Sequence, residues 1–181
     1  MVNQKSQRDN LLDRIIGMEL DMFQAVREEK PSLCKDMPET FKVMRRMTHC
    51  VVSNETLESY LKDLSQAVAN RRNLMTEKYA RMDNLIPCLN ANPVIDRIVQ
   101  VEHRWREELA NKYSRMFRTQ SGQALDVYLH SELETYSDQT LELYFKDISD
   151  AVEERRNLVA ERYTFLFRIL GYSSIDDLWT Q

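Results

Sequence analysis

Residues 54–79 read NETLESYLKDLSQAVANRRNLMTEKY, and residues 138–163 read DQTLELYFKDISDAVEERRNLVAERY. The second stretch lies 84 positions after the first, and 15 of the 26 aligned positions are identical without a gap. Chance does not give that, so the stretch is an internal duplication. Leu57, Tyr60, Leu61, Leu64, Ala67, Val68, Arg71, Leu74, Met75, Tyr79 and Met82 recur at helical spacing and form one stripe. Nothing obvious interrupts that stripe before Pro87, which predicts one helix of about 30 residues, on the order of 45 Å long. Ser53-Asn54 and Ser137-Asp138 supply N-terminal caps for the two copies, with Glu55 well placed near the positive end of the first.

Working outward, Leu11, Leu12, Ile15, Ile16, Glu19, Met22, Phe23 and Val26 predict an amphipathic helix over roughly residues 6–29, stopped by Pro31. The linker 30–37 holds Cys34. It ends in Asp36-Met37-Pro38-Glu39, where Asp36 can cap, Glu39 can reach back and Pro38 fits the first turn. A shorter helix follows, with Phe41, Met44, Thr48 and Val51 on one face. The second half repeats the plan. Asn92-Pro93 starts a helix bearing Ile95, Ile98, Val99, Glu102, Trp105 and Leu109, offset by 83 from the first. Ser121-Gly122 marks a break, and a short helix with Leu125, Tyr128, Leu129 and Tyr136 leads into the second long copy. Gly171 can close that copy as a left-handed cap, and residues 175–179 form an apolar tail that should dock. The expectation is an all-α, pseudo-two-fold helical bundle. It is a single domain, 1–181, made of two duplicated three-helix units (about 6–86 and 92–172) that share one core.

Composition agrees. A chain of 181 residues is within one-domain size, and a domain of that size hides about 70% of its unfolded surface. Three glycines and four prolines are too few for a turn-rich β protein. The net charge of −4 comes from interspersed acids and bases, so no nucleic-acid footprint is expected. Cys34, Cys50 and Cys88 form no C-x-x-C pair, which suggests neither a disulfide framework nor a thiolate zinc site. The N-terminus lacks an apolar leader core and no run of about 18 apolar residues exists. A cytoplasmic protein with no membrane association is the expectation.

The polar residues identical in both copies are the candidates for chemistry. Lys62, Asp63, Arg71, Arg72, Asn73 and Glu77 match Lys146, Asp147, Arg155, Arg156, Asn157 and Glu161. Glu19 and Glu102 stand in the middle of their helices' apolar faces. A desolvated carboxylate needs a partner. The expected pairs are Glu19 with Arg71 or Arg72 and Glu102 with Arg155 or Arg156, and they are either structural or the wall of a polar pocket for a small ligand. Asn73 and Glu77, like Asn157 and Glu161, share an outer face and should meet another element or an external partner. A carboxylate-bridged di-metal bundle would need Glu-x-x-His. Position +3 is Met22, Trp105, Ala80 or Thr164 after the four glutamates, so no metal is expected. No phosphate loop, nucleophile elbow or Cys/His pairing stands in the chain, and no cofactor is expected.

The segments MELDMFQAV, PETFKVMR, ESYLKDL and RNLMTEKYARM, with SELETYSDQTLELYFKDI and RNLVAERY in the second half, resemble an uncharacterised bacterial all-helical family carried as a domain of unknown function. The resemblance covers nearly the whole chain, and the RNL-x-x-EKYARM run is its most specific part. It implies a small bacterial helical protein, in some cases joined to a nucleotidyltransferase-like domain, with no activity to carry over. The chain departs from that pattern at Arg71, where the family tends to have glycine, and at residues 28–33, where the family has a Gly-Gly-Arg-rich linker. The first departure favours Arg72 and Arg156 as the glutamates' partners. Two function classes follow: an interaction or accessory module that meets a protein partner or a second copy, and a ligand-binding protein or enzyme with a pocket of Glu, Arg and Asn residues.

Overall fold

A computed structural model describes residues 6–26, 37–114 and 122–172. Cys34, Pro31, Asp36, Ser121 and the 175–179 tail lie outside the described residues. Among those described there are eight helices and no strand, and 76% of them are helical. The helices are α1 (Gln7–Gln24), α2 (Pro38–His49), α3 (Asn54–Ala69), α4 (Leu74–Met82), α5 (Val94–Lys112), α6 (Gly122–Leu133), α7 (Asp138–Glu153) and α8 (Leu158–Ile169).

The expected long helix is two helices in each half, which makes four helices per half rather than three. The reason lies in the repeated Arg-Arg-Asn triplet. Arg71 and Arg155 both adopt the left-handed conformation at φ 56°. Behind them Arg72 N donates to Ala67 O at 2.8 Å and Arg71 N to Val68 O at 3.0 Å, with the same pair of bonds at Arg156 and Arg155. That is a Schellman termination. Asn73 then opens α4 by accepting from Thr76 N, and Asn157 opens α8 by accepting from Ala160 N, each at 2.9 Å. Hydrophobic spacing cannot show the break, because both pieces keep a buried stripe. Glycine reaches a left-handed φ without strain, whereas an arginine there carries some.

Two expected boundaries differ: α1 ends at Gln24 rather than near residue 29, and α2 starts after Met37 with no side-chain cap, Glu39 pairing with Lys42 instead of reaching back. Ser6, Ser53 and Ser137 cap α1, α3 and α7, Pro38 sits in the first turn of α2, and Gly171 closes α8 at φ 91°. Asn92 Oδ1 accepts from Val94 N at 3.0 Å at the start of α5. One apolar cluster takes buried residues from both halves, including Ile15, Leu57 and Leu64 with Ile98, Leu141 and Ile148. In the first half α1 packs on α2, α3 and α4; in the second α5 packs on α6, α7 and α8. Between the halves the packed pairs are α3 with α7, α4 with α6 and α2 with α8. Asp63 of α3 accepts from Ser137 N at 3.0 Å, and Asp147 of α7 accepts from Ser53 N at 2.9 Å.

The two short helices correct a second expectation. Met44, placed on the inner face of α2 by its spacing, is 47% exposed, and Tyr128 of α6 is exposed too. The buried positions are Arg45, Met47 and His49 on α2 and Ser131, Glu132 and Leu133 on α6. These helices turn polar side chains inward because their charge partners are already there.

Candidate functional site

Glu19 is fully buried on α1 between Ile15, Ile16, Met22 and Phe23. Its carboxylate receives Arg45 Nε at 2.9 Å and Arg45 Nη2 at 2.5 Å, and Tyr60 donates its hydroxyl at 2.9 Å. His49 Nε2 lies 2.9 Å from the same carboxylate and 3.2 Å from Arg45 Nη2. Burial pushes the Glu19 carboxyl up, but the Arg45 guanidinium and His49 outweigh it and hold the carboxyl down at about 2. Arg45 extends the network to Glu132, with Nη2 at 2.7 Å. Glu132 also takes Lys78 Nζ at 2.6 Å and the Tyr136 hydroxyl at 3.3 Å. Burial again opposes its ionisation, and Arg45 and Lys78 again prevail, leaving the carboxyl well below its ordinary range. Lys78 is 1% exposed, and its ammonium rests 3.4 Å from the centre of the Tyr128 ring.

The second half has a parallel cluster. Glu102, 2% exposed, receives Arg162 Nη1 at 2.7 Å and Nη2 at 2.9 Å, and Tyr144 donates its hydroxyl to Glu102. Arg162 Nη2 also donates to the Tyr144 hydroxyl at 2.6 Å. Burial raises the Tyr144 hydroxyl far above its ordinary pKa. Arg106 stands 3.9 Å from Glu102 and is paired with Asp126, which His103 reaches at 2.8 Å from the outer side. Tyr60 and Tyr144, and Lys78 and Arg162, occupy positions 84 apart. Their use differs. Arg162 stays with the glutamate of its own half, while Lys78 crosses to Glu132 and leaves Glu19 to Arg45.

The two clusters face one cavity of about 140 Å³. Its polar wall includes His49, Tyr60, Arg106, Glu132, Tyr136 and Arg162, with Glu102 and Tyr144 beside them. Val52, Leu57, Leu125, Leu129 and Leu133 give it an apolar side, and Thr48 and the exposed Tyr128 also border it. Glu102 lines the cavity, whereas Glu19 is sealed behind His49 and Tyr60. Among the described residues, Arg106 Nε and Arg162 Nε are the buried side-chain polar atoms without a hydrogen-bond partner. No group of three or more His, Cys, Asp or Glu there could hold a metal ion, and no helix is long and apolar enough to cross a membrane.

The expected arginine partners are corrected. Arg71, Arg72, Arg155 and Arg156 are exposed, because the helix break turns that turn outward, and none reaches Glu19 or Glu102. Arg72 instead forks Glu77 at 2.8 and 2.7 Å, and Arg156 forks Glu161 at 2.8 and 2.9 Å. Asn73 donates Nδ2 to Met22 O at 2.8 Å, and Asn157 to Trp105 O at 3.1 Å, so each cap ties its helix to the first helix of its half. The structure therefore brings Glu19 and Glu102 to the centre and leaves the other six candidates at the two breaks. Lys78 and Arg162 had a legible signal, a basic residue at matched buried positions, which a count of identities passes over. Arg45, His49 and Glu132 had none, since the short helices are where the halves differ.

No curated protein and no solved structure matches the chain. The model of the family described as protein of unknown function DUF4125 matches residues 9–179, and the chain belongs to that family.

Proposed function

We propose that the protein is a small-ligand-binding bundle, with two equivalent halves related by a pseudo-two-fold axis and the ligand held in the central cavity. The observation that carries this reading is that Tyr60, Glu102, Glu132, Tyr144 and Arg162 line one cavity, while Glu19, Arg45 and Lys78 lie behind that wall, so that each of the eight helices contributes a buried polar side chain to the two clusters around it. Stability is a poor reason for such a centre, because apolar side chains of similar volume usually stabilise as well as a buried ion pair or better. A ligand site is a good reason, since convergent polar groups beside an apolar wall are what orient a small molecule. Support for the axis comes from packing. Exchanging α1–α4 with α5–α8 turns each of these packed helix pairs into a packed pair, α3 with α7 into itself, and the Asp63 and Asp147 caps exchange with each other. Arg72, Asn73 and Glu77 have partners within the chain, which favours the cavity over the outer face as the ligand site.

The cavity is comparable to an engineered site of about 150 Å³ that holds benzene, so the ligand has roughly six to ten non-hydrogen atoms. The test is a thermal-shift screen of polar compounds of that size, repeated on Leu129→Trp and Leu125→Trp, which fill the cavity from its apolar side. A compound present at a hundredfold its Kd stabilises by about 2.7 kcal/mol. The expected result is a hit that loses its shift in both filled variants. A screen with no hit, or hits that persist in both, refutes the reading.

A further inference from the structure

The two halves are packed differently at one set of matched positions. In the first half Phe23 of α1 stacks on Phe41 of α2, with ring centres 4.6 Å apart and planes 12° from parallel, and Tyr79 of α4 closes the group at 6.4 Å from Phe23. Phe23 is 4% exposed, so its ring is fully packed. The positions 83 or 84 further on are Arg106 of α5, Leu125 of α6 and Tyr163 of α8. These three border a cavity of about 360 Å³, together with His103, Leu109 and Val159. Val159 itself stands where the first half has the longer Met75. One half has stacked rings where the other is hollow.

The side formed by Leu109, Leu125 and Val159 offers water nothing to bond, and an unfilled apolar hollow forfeits packing. Its volume is more than twice the roughly 150 Å³ that holds benzene, which sets the occupant at one or two rings. Arg106 adds the reason for a ring. Its guanidinium is planar, stands at the position matched to the Phe23 ring, and is tethered by Asp126, which His103 also reaches at 2.8 Å. Guanidinium planes stack on aromatic faces. A ring seated where the first half has Phe41 repeats the Phe23–Phe41 stack as a guanidinium–ring stack, with Tyr163 in the place of Tyr79.

We propose that this cavity binds a planar aromatic molecule of one or two rings, stacked on the Arg106 guanidinium. The site is separate from the central cavity, although Arg106 and Leu125 border both. It shares with the reading above only the equivalence of the halves.

The experiment is titration calorimetry of the whole chain with indole and phenol, and with cyclohexanol as the non-planar counterpart of phenol. The expected result is saturable binding of indole and phenol, with cyclohexanol at least about tenfold weaker. Leu125→Phe and Val159→Met put the first-half side chains into the hollow, and each should weaken indole and phenol at least about tenfold. Leu129→Trp fills the central cavity alone and should change neither. No binding, cyclohexanol that matches phenol, or binding that survives in both L125F and V159M would each overturn the proposal. Binding lost in L129W but kept in V159M would assign the probes to the central cavity and overturn it as well. Should L125F fail to fold, V159M and the cyclohexanol comparison decide alone. The central cavity is judged by its own screen, whose hits are lost in L129W, so the two readings fail separately.

Discussion

A single carboxylate shows how burial and charge contend. Glu19 is stable as an anion only because Arg45, His49 and the Tyr60 hydroxyl surround it. Glu19→Ala removes one of the two carboxylates that hold Arg45 in the core and leaves the Tyr60 hydroxyl without its acceptor, and should cost about 3–5 kcal/mol, measured by urea unfolding; a cost below about 1 kcal/mol would show that Glu132 alone satisfies Arg45. The pH dependence follows from the same group. Its folded carboxyl is held down at about 2 against an ordinary 4.5, so its contribution is fully present above about pH 5 and is lost as pH falls towards 2. Stability of the unaltered protein should fall steeply across that window. The Glu19→Ala protein should show a shallower slope there, and an unchanged slope would assign the acid sensitivity to Glu132 or Glu102 instead.

At the scale of the helix, the Arg-Arg-Asn turns set where α4 and α8 begin and hence where Lys78 and Arg162 point. A non-glycine residue at a left-handed φ carries strain of roughly 1 kcal/mol. Arg71→Gly and Arg155→Gly should therefore each stabilise by about 0.5–1 kcal/mol, read as a higher Tm. Asn73→Ala removes both an N-cap and the bond to Met22 O, and should cost about 1–2 kcal/mol. Arg72→Ala breaks an exposed pair and should cost less than about 1 kcal/mol. If the Arg72 variant were the more damaging of the two, the turn would be held by the Arg72–Glu77 fork rather than by the cap.

Across the whole molecule, charged contacts tie the halves together alongside the apolar core. Arg45 and Lys78 of the first half both end on Glu132 of the second, and the Asp63 and Asp147 caps cross in opposite directions. Separating the halves would strand buried charges on both sides. One thermal transition is expected, coincident by far-UV and near-UV circular dichroism. A residue 6–86 fragment should not fold alone. Two resolved transitions, or a folded fragment, would show that the halves are independent.

The sequence by itself determined the helical class, the serine caps of α3 and α7 and the burial of Glu19 and Glu102, because periodicity and capping are local properties that a stripe and a triplet express directly. It also held the break at residues 70–73, written in Arg-Arg-Asn, but an unbroken apolar stripe hid it. Tertiary structure alone decided which cation meets which carboxylate. Arg45, His49 and Glu132 lie on the short helices where the two halves differ, and their inward orientation depends on charges 26 to 87 positions away. A buried carboxylate demands a cation but does not say where along the chain it must come from. Only the packing of α2 against α1 and α8, and of α6 against α4 and α5, answers that.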